Sequence, residues 1–142
     1  MLRFKSRVAP IVLIIIIIPF IVMAIASIWA ENTSERILLL LIATFILILL
    51  LLLILGIEYQ FHEDEVHLKM FFFKKRIKYK DVSMLKVGNN LTFIGLKISA
   101  AWKNTIVLKY NTHDEVLISP ADVEGFVDEM RKHVKELEVE RN

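Results

Sequence analysis

The sequence contains no cysteine, and this absence removes several classes of chemistry. Without cysteine there is no disulfide framework, no thiol nucleophile and no cysteine-based metal site. The four glycines occur singly, so no glycine-rich phosphate-binding loop is present. Neither a Gly-x-Ser-x-Gly elbow nor a His-Glu-x-x-His helix occurs, and no pair of carboxylates lies in an apolar setting. We therefore expect a noncatalytic protein without a cofactor.

Charge is missing from two long apolar runs near the N-terminus, residues 8–30 and 37–57. At about 1.5 Å per residue, each run forms a helix long enough to cross the roughly 30 Å hydrocarbon core of a bilayer. The residues that remain are too few to bury two such helices on all sides. We predict a two-helix transmembrane hairpin over residues 1–57. A transporter or channel is disfavoured because neither span carries an ionisable residue.

The distribution of lysine and arginine predicts the orientation of this hairpin. Arg3, Lys5 and Arg7 precede the first span, whereas the loop 31–36 carries Arg36 alone. Loops rich in lysine and arginine stay on the cytoplasmic side of a membrane. We therefore expect a two-pass protein of the cell membrane whose N-terminus and C-terminal domain are both cytoplasmic.

A second interpretation treats the first apolar run as a secretory signal. Its charged start is followed by a small-residue cleavage pattern at Ala24-Ile25-Ala26. The apolar stretch is longer than a usual signal core, which favours retention of the span. Cleavage would leave one span and the same cytoplasmic domain.

Residues 58–142 form a second region, with 14 Lys/Arg and 14 Asp/Glu. This balance does not indicate a nucleic-acid-binding domain. The apolar period changes to two after Ile57, which indicates β-strands. The strand candidates are residues 57–62, 65–72, 76–80, 81–87, 91–98, 105–110 and 115–118, with Val82 and either Met84 or Leu85 as core residues. We expect six or seven antiparallel strands.

A helix is predicted to follow the last strand. Ser119 fits the N-cap position and Pro120 the first helical position. Apolar residues at spacings of three and four then form one face: Val123, Phe126, Val127, Met130, Val134 and Leu137. We predict an α+β domain over residues 58–142, in which a bent sheet or barrel is capped by this amphipathic helix.

Three stretches carry a family resemblance. They are Glu63-Asp64-Glu65-Val66-His67-Leu68, Lys75-Arg76-Ile77-Lys78-Tyr79-Lys80-Asp81-Val82, and Glu115-Val116-Leu117-Ile118-Ser119-Pro120 with the helix containing Phe126. Over roughly residues 58–137 the chain resembles bacterial pleckstrin-homology-like domains, in particular the small membrane-anchored group that includes the sublancin immunity protein. The resemblance implies a strongly bent antiparallel sheet of seven strands plugged by the helix, and no catalytic chemistry.

Five cations within seven residues form the main candidate contact: Lys74, Lys75, Arg76, Lys78 and Lys80. Cations near a membrane surface each contribute about 1 kcal/mol of attraction to anionic headgroups. The same strand is also typical of a solvated sheet edge, where lysines discourage edge pairing. We assign these residues a possible contact with an anionic membrane or a partner.

Aromatic residues flank this strand and supply a second candidate contact. Of Phe71, Phe72, Phe73, Phe93 and Trp102, we expect part to be core and assign possible contacts to Phe71, Phe73 and Trp102. Aromatic rings are favoured both at membrane interfaces and in peptide-binding grooves. The histidines and carboxylates of residues 62–67 do not complete a metal shell, so no metal is expected.

The sequence leaves three hypotheses for function. In the first, the domain binds a protein or peptide partner at the cytoplasmic membrane face, with bacteriocin immunity or envelope protection as the concrete version. In the second, the chain is a structural accessory subunit of a larger membrane complex. In the third, the basic strand senses anionic lipid. The expected partners are therefore the lipid bilayer and a protein or peptide, and no nucleic acid.

Overall fold

The computed structural model of the protein describes residues 2–90, 92–101 and 103–141. Strand β1 (Leu2–Lys5) precedes two long helices, α1 (Pro10–Ile28) and α2 (Thr33–Leu55). The strands that follow are β2 (Ile57–Phe61), β3 (Glu65–Met70), β4 (Phe73–Lys78), β5 (Val82–Gly88), β6 (Leu96–Ile98), β7 (Thr105–Tyr110) and β8 (Asp114–Ile118). Helix α3 (Val123–His133) and strand β9 (Glu138–Arg141) end the described chain.

Helices α1 and α2 pack against each other as a hairpin, with Ile16 and Ala43 buried between them. Both are long and apolar enough to cross a membrane by length and composition. Helix α2 begins at Thr33, four residues before the predicted span, because the polar residues 33–36 continue the helix. The Arg36 guanidinium donates to the carbonyl of Ala30 at 3.1 Å and so caps the end of α1.

Strand β1 is a feature that the sequence interpretation missed. It pairs antiparallel with β2, with Phe4 opposite Tyr59. The ring of Phe4 packs edge-on against Phe61 and Phe126, at centroid distances of 5.5 and 5.6 Å. The segment before the first long helix and the segment after the second are therefore neighbours in one sheet.

A buried hydrogen-bond network fixes the approach to α1. The Tyr59 hydroxyl donates to the carbonyl of Ile98 at 2.6 Å and accepts from the amide of Ser119 at 3.0 Å. The hydroxyls of Ser119 and Ser6 lie 2.9 Å apart. Burial raises the pKa of Tyr59. Ser6, which precedes α1, thus contacts Ser119 after β8, and Ser119 in turn contacts the buried Tyr59.

The nine strands of the described residues form two sheets, ordered β1-β2-β3-β4 and β6-β8-β7-β5-β9. The predicted single bent sheet or barrel is wrong in this respect, because the two sheets are not closed into one. The expectation of antiparallel pairing alone is also wrong, since β9 pairs parallel with β5 and β6 with β8. The number of strands exceeds seven because β1 and β9 each extend a sheet at its edge.

One hydrophobic core lies between the sheets and α3. Phe126, Val127 and Met130 on α3 are fully buried, which confirms the amphipathic helix.

The predicted start of α3 is wrong. Asp122 is the N-cap and accepts from the amide of Gly125 at 2.9 Å, while Ser119 is buried in the tyrosine network. The predicted end is also wrong. After His133 the chain leaves the helix, and Leu137 leads into β9, whose backbone pairs with β5.

Several other strand boundaries differ from prediction. Strand β3 ends at Met70 and the chain turns at Phe71 and Phe72, two residues earlier than expected. The basic strand starts at Phe73, three residues earlier than expected, and stops at Lys78, where a 3₁₀ turn (Tyr79–Asp81) follows. Strand β6 covers only Leu96–Ile98, and Leu91, where the predicted strand began, lies outside the described residues. In β5 an irregularity between Val82 and Met84 places Leu85 in the core.

Candidate membrane and partner interface

One end of the domain, here called the hairpin end, adjoins the two long helices. Gly56 alone separates α2 from β2, so no flexible linker intervenes. A Cβ at Gly56 would lie 2.8 Å from the carbonyl oxygen of Leu52 and 3.6 Å from the amide nitrogen of Phe71. Glycine is therefore required for this close approach. The contact also places the β3–β4 turn directly beside the end of α2.

This turn, residues 71–73, is called the aromatic turn. Phe71 has a φ of 50°, and its ring centroid lies 4.0 Å from that of Phe72. Phe72 is 90% exposed and Phe73 is 43% exposed. The structure thus places Phe71 and Phe73 together at the hairpin end, whereas Trp102 lies outside the described residues. The aromatic turn therefore forms an exposed apolar surface beside the C-terminal end of α2.

The five predicted cations do not form a single cluster. Lys74, Arg76 and Lys78 alternate along β4 on its exposed side, called the outer face of the sheet. Lys75 points to the other side, with its ammonium 5.2 Å from the centroid of the Tyr110 ring. Lys80 lies in the 3₁₀ turn. At about 3.3 Å per residue, Lys78 is roughly 13 Å farther from the hairpin end than Lys74.

Cross-strand register adds further cations to the outer face. Residues directly opposite in an antiparallel sheet share a face. Lys69 lies opposite Lys74, and Lys5 lies opposite Glu58 on the neighbouring strands. The cations of this face are Arg3, Lys5, Lys69, Lys74, Arg76 and Lys78, against the carboxylates Glu58 and Glu65. The outer face of the four-stranded sheet is therefore strongly basic although the domain as a whole is balanced.

Sequence reasoning missed Arg3, Lys5 and Lys69 as members of this surface. From the sequence alone, Arg3 and Lys5 indicate only the orientation of the membrane hairpin. A signal existed, because Leu2 and Phe4 alternate with Arg3 and Lys5 as they do in a half-buried strand. Four residues beside a long apolar run are too short for that alternation to stand out, and only the pairing with β2 reveals it.

A histidine pair lies at the end of the sheet farthest from the hairpin. The rings of His62 and His67 have centroids 3.9 Å apart, and Glu65 contacts His67. Burial, together with the neighbouring His67 and Lys74, lowers the pKa of His62. The hydrogen bond with His67 lowers the pKa of Glu65. These contacts connect β3, which carries Glu65 and His67, to His62, which directly follows β2.

A cleft of about 460 Å³ runs beside β4. Its walls come from β4, from the 3₁₀ turn and from the β7–β8 connection. The lining residues are Glu65, Lys75, Arg76, Ile77, Lys78, Lys80, Asp81, Tyr110 and Asn111. Four of the five predicted cations therefore meet at this cleft, and Lys74, nearer the aromatic turn, does not.

Comparison with known families gives one match. A family model described as bacterial PH domain matches residues 57–134, which is more than half of the chain. The chain belongs to the bacterial PH domain family. The predicted family resemblance is thereby confirmed, with nearly the predicted bounds. No curated protein and no solved structure matches the chain.

The bacterial PH domain of this chain begins with β2 and ends directly after α3. Strands β1 and β9, like the helical hairpin, lie outside the matched residues. Membership of this family suggests a noncatalytic domain. The specific resemblance to the sublancin immunity group stays a prediction.

Proposed function

We propose that this bacterial PH domain is held at the cytoplasmic face of the cell membrane by its helical hairpin and binds a protein or peptide partner there. The pairing of β1 with β2 supports the topology of this anchor. Since these strands flank the hairpin on either side and share one sheet, a chain anchored by this hairpin would enter and leave the membrane on the same side.

The surface of the hairpin supports insertion. Large apolar side chains on both helices point outward, among them Ile14 at 53%, Leu41 at 63% and Phe45 at 68% exposure. Such a continuous apolar surface is rare on a protein surrounded by water but suits the hydrocarbon of a bilayer. Carbonate-washed membranes should retain the full chain, and release of the chain into the wash would contradict the anchor.

The cytoplasmic side is proposed from the charges. Arg3, Lys5 and Arg7 adjoin the first span together with the basic outer face of the sheet, whereas Arg36 is the one cation of the opposite loop. The positive-inside tendency then assigns the domain to the cytoplasm. The guanidinium of Arg36 is engaged by carbonyls at the end of α1, which suits a residue held near the opposite interface.

The aromatic turn is proposed as a direct contact with lipid. Phe72 is almost fully exposed beside the end of α2, and Lys69 and Lys74 form a cross-strand pair directly behind it. Aromatic rings and cations at this level fit the headgroup region of a bilayer. Because Arg76 and Lys78 lie farther along β4 from the hairpin end, we propose that the turn orients the domain and that the strand does not contact lipid along its whole length.

Spin labelling tests this lipid contact, since the chain has no native cysteine. A label at Phe72→Cys in liposomes should collide more often with oxygen, which concentrates in lipid, than with a water-soluble nickel complex. The matched label at His113→Cys, an exposed position in the β7–β8 turn, should show the opposite preference. Equal behaviour of the two labels would remove the aromatic turn from the interface.

Partner binding is proposed because the family suggests a noncatalytic domain, and a fixed position at the membrane suits sequestration or shielding. The resemblance makes protection against a membrane-active peptide the concrete version. Photo-crosslinkers placed singly at Arg76, Asp128 and Glu140, on three elements of the domain, should capture a specific protein or peptide from at least one position in cells. Deletion of the gene should raise sensitivity to the cognate peptide. Capture from no position, with unchanged sensitivity, would contradict the proposal.

A further inference from the structure

Strand β4 has one edge without a strand partner in the described chain. It pairs with β3 along its full length, from Met70 opposite Phe73 to Glu65 opposite Lys78. The next strand, β5, pairs with β7 and β9 and belongs to the other sheet. An unpaired edge presents a row of backbone N–H and C=O groups that another extended chain can pair with.

The cleft described above borders this edge. Its volume of about 460 Å³ is open space beside Ile77 and Lys78, so a further strand is not blocked by the body of the domain. Tyr110 forms part of the wall, partly covered by the ammonium of Lys75. The strand edge and the cleft together have room for an extended segment.

The charged residues that line the cleft favour one kind of binding partner over the others. Lys75, Arg76, Lys78 and Lys80 line the cleft against the carboxylates Glu65 and Asp81. One of these carboxylates, Glu65, already contacts His67. A second copy of β4 would bring cation against cation, which disfavours self-pairing. A lipid headgroup offers no backbone for the strand edge, and Lys78 lies toward the end of the domain away from the hairpin.

We propose that the free edge of β4 accepts an extended acidic segment of the partner protein by strand addition. Backbone pairing along the edge supplies register and affinity, while Arg76, Lys78 and Lys80 contact alternate carboxylates. The inference rests on the proposed partner-binding function and adds the location of the site and the chemistry of the partner. It also explains how the lysines can block unwanted edge pairing and still admit one class of strand.

The test uses the full chain in phosphatidylcholine nanodiscs and fluorescent peptides of alternating Glu and Thr. Fluorescence anisotropy should show saturable binding of this peptide. N-methylation at alternate residues preserves the charge but removes backbone donors, and it should weaken binding at least about tenfold. A peptide with Lys in place of Glu should bind at least about tenfold more weakly as well.

Variants separate the β4 site from charge in general. Arg76→Glu with Lys78→Glu should weaken binding of the acidic peptide at least about tenfold. Lys103→Glu with Lys135→Glu makes the same change in net charge at exposed positions outside the cleft and should leave binding within about twofold. All four substituted positions are exposed, and thermal unfolding verifies that both variants fold.

Three results would overturn the inference. The N-methylated peptide could bind as well as the unmodified one, the two double variants could lose binding equally, or phosphatidylglycerol in the nanodisc could abolish binding by occupying the cations. If photo-crosslinking captures a partner in cells while any of these results is obtained, the β4 site is wrong and the proposed function stands. If no partner is captured at any position and deletion of the gene leaves peptide sensitivity unchanged, the proposed function itself fails.

Discussion

The Tyr59 hydroxyl connects three segments of the chain from a fully buried position. Its replacement in Tyr59→Phe leaves the carbonyl of Ile98 and the amide of Ser119 without their partner. Buried groups without a hydrogen bond cost about 1–3 kcal/mol of unfolding free energy, and we expect a loss of that size. Denaturant unfolding in detergent measures it. Tyr110→Phe is the matched control, because the hydroxyl of Tyr110 has no hydrogen bond in the described part of the chain. A similar loss in both variants would contradict the network.

His62 is the residue that should give the domain a pH dependence. Its pKa is lowered in the folded state, by burial and by His67 and Lys74, from the ordinary value of 6.5. The unfolded chain therefore binds more protons than the folded chain just below pH 6.5. Stability should be full above that pH and should fall as the pH drops through the lowered pKa of the folded state.

Unfolding midpoints between pH 7.5 and pH 5.5 measure this effect. The variant His62→Gln should flatten the pH dependence over this range, whereas His113→Gln, at an exposed turn, should retain it. The window lies above the region where Glu65, whose pKa is lowered from 4.5, begins to contribute. An unchanged slope in His62→Gln would assign the dependence to other groups.

At the scale of elements, β1 is the strand on which the account of the N-terminus depends. Phe4 packs against the core through Phe61 and Phe126. Because Phe4 is only partly buried, Phe4→Ala should cost about 2–3 kcal/mol, somewhat less than a fully buried phenylalanine. Leu2→Ala, at a position 46% exposed, should cost under about 1 kcal/mol. Thermal unfolding of the two variants provides the comparison.

The same strand bears on the signal-sequence alternative. Cleavage after Ala24-Ile25-Ala26 would remove β1 and Ser6 from the sheet and from the tyrosine network. We therefore expect mass spectrometry of the purified protein to find the N-terminal segment intact. A mature chain that starts after Ala26 and still folds normally would contradict the role of β1.

Helices and strands are predicted correctly where the apolar period extends over many residues. Prediction fails where pairing with another strand decides the secondary structure. Strands β7 and β8 and the buried face of α3 follow directly from alternation and from spacings of three and four. The sequence after His133 is rich in charged residues that suit a helix, but residues 138–141 instead pair with β5, with Lys86 3.1 Å from Glu140 and Arg141 2.7 Å from Glu124. Propensity over so few residues is overridden by tertiary pairing.

The candidate site was predicted as a list of residues but not as a geometry. The sequence identified all five cations of 74–80 and the aromatic residues beside them. Only the structure separates Lys74, next to the aromatic turn, from the four cations of the cleft, and only register brings Lys69 and Arg3 onto the same outer face. Composition records how much charge a strand carries, whereas sheet register decides which charges act together.

For the whole molecule, the central claim is that the chain leaves one cytoplasmic domain after β1, crosses the membrane twice as a helical hairpin and re-enters the same domain at β2. Single-cysteine labelling with a membrane-impermeant maleimide tests it most directly, because the native chain has no cysteine to label. The three positions are Arg3→Cys in β1, Glu31→Cys in the loop between the helices and His113→Cys in the β7–β8 turn. Intact cells or spheroplasts should show labelling at position 31 alone, with positions 3 and 113 labelled only after permeabilisation. Labelling of position 113 in intact cells, or of positions 3 and 113 on opposite sides, would contradict the account.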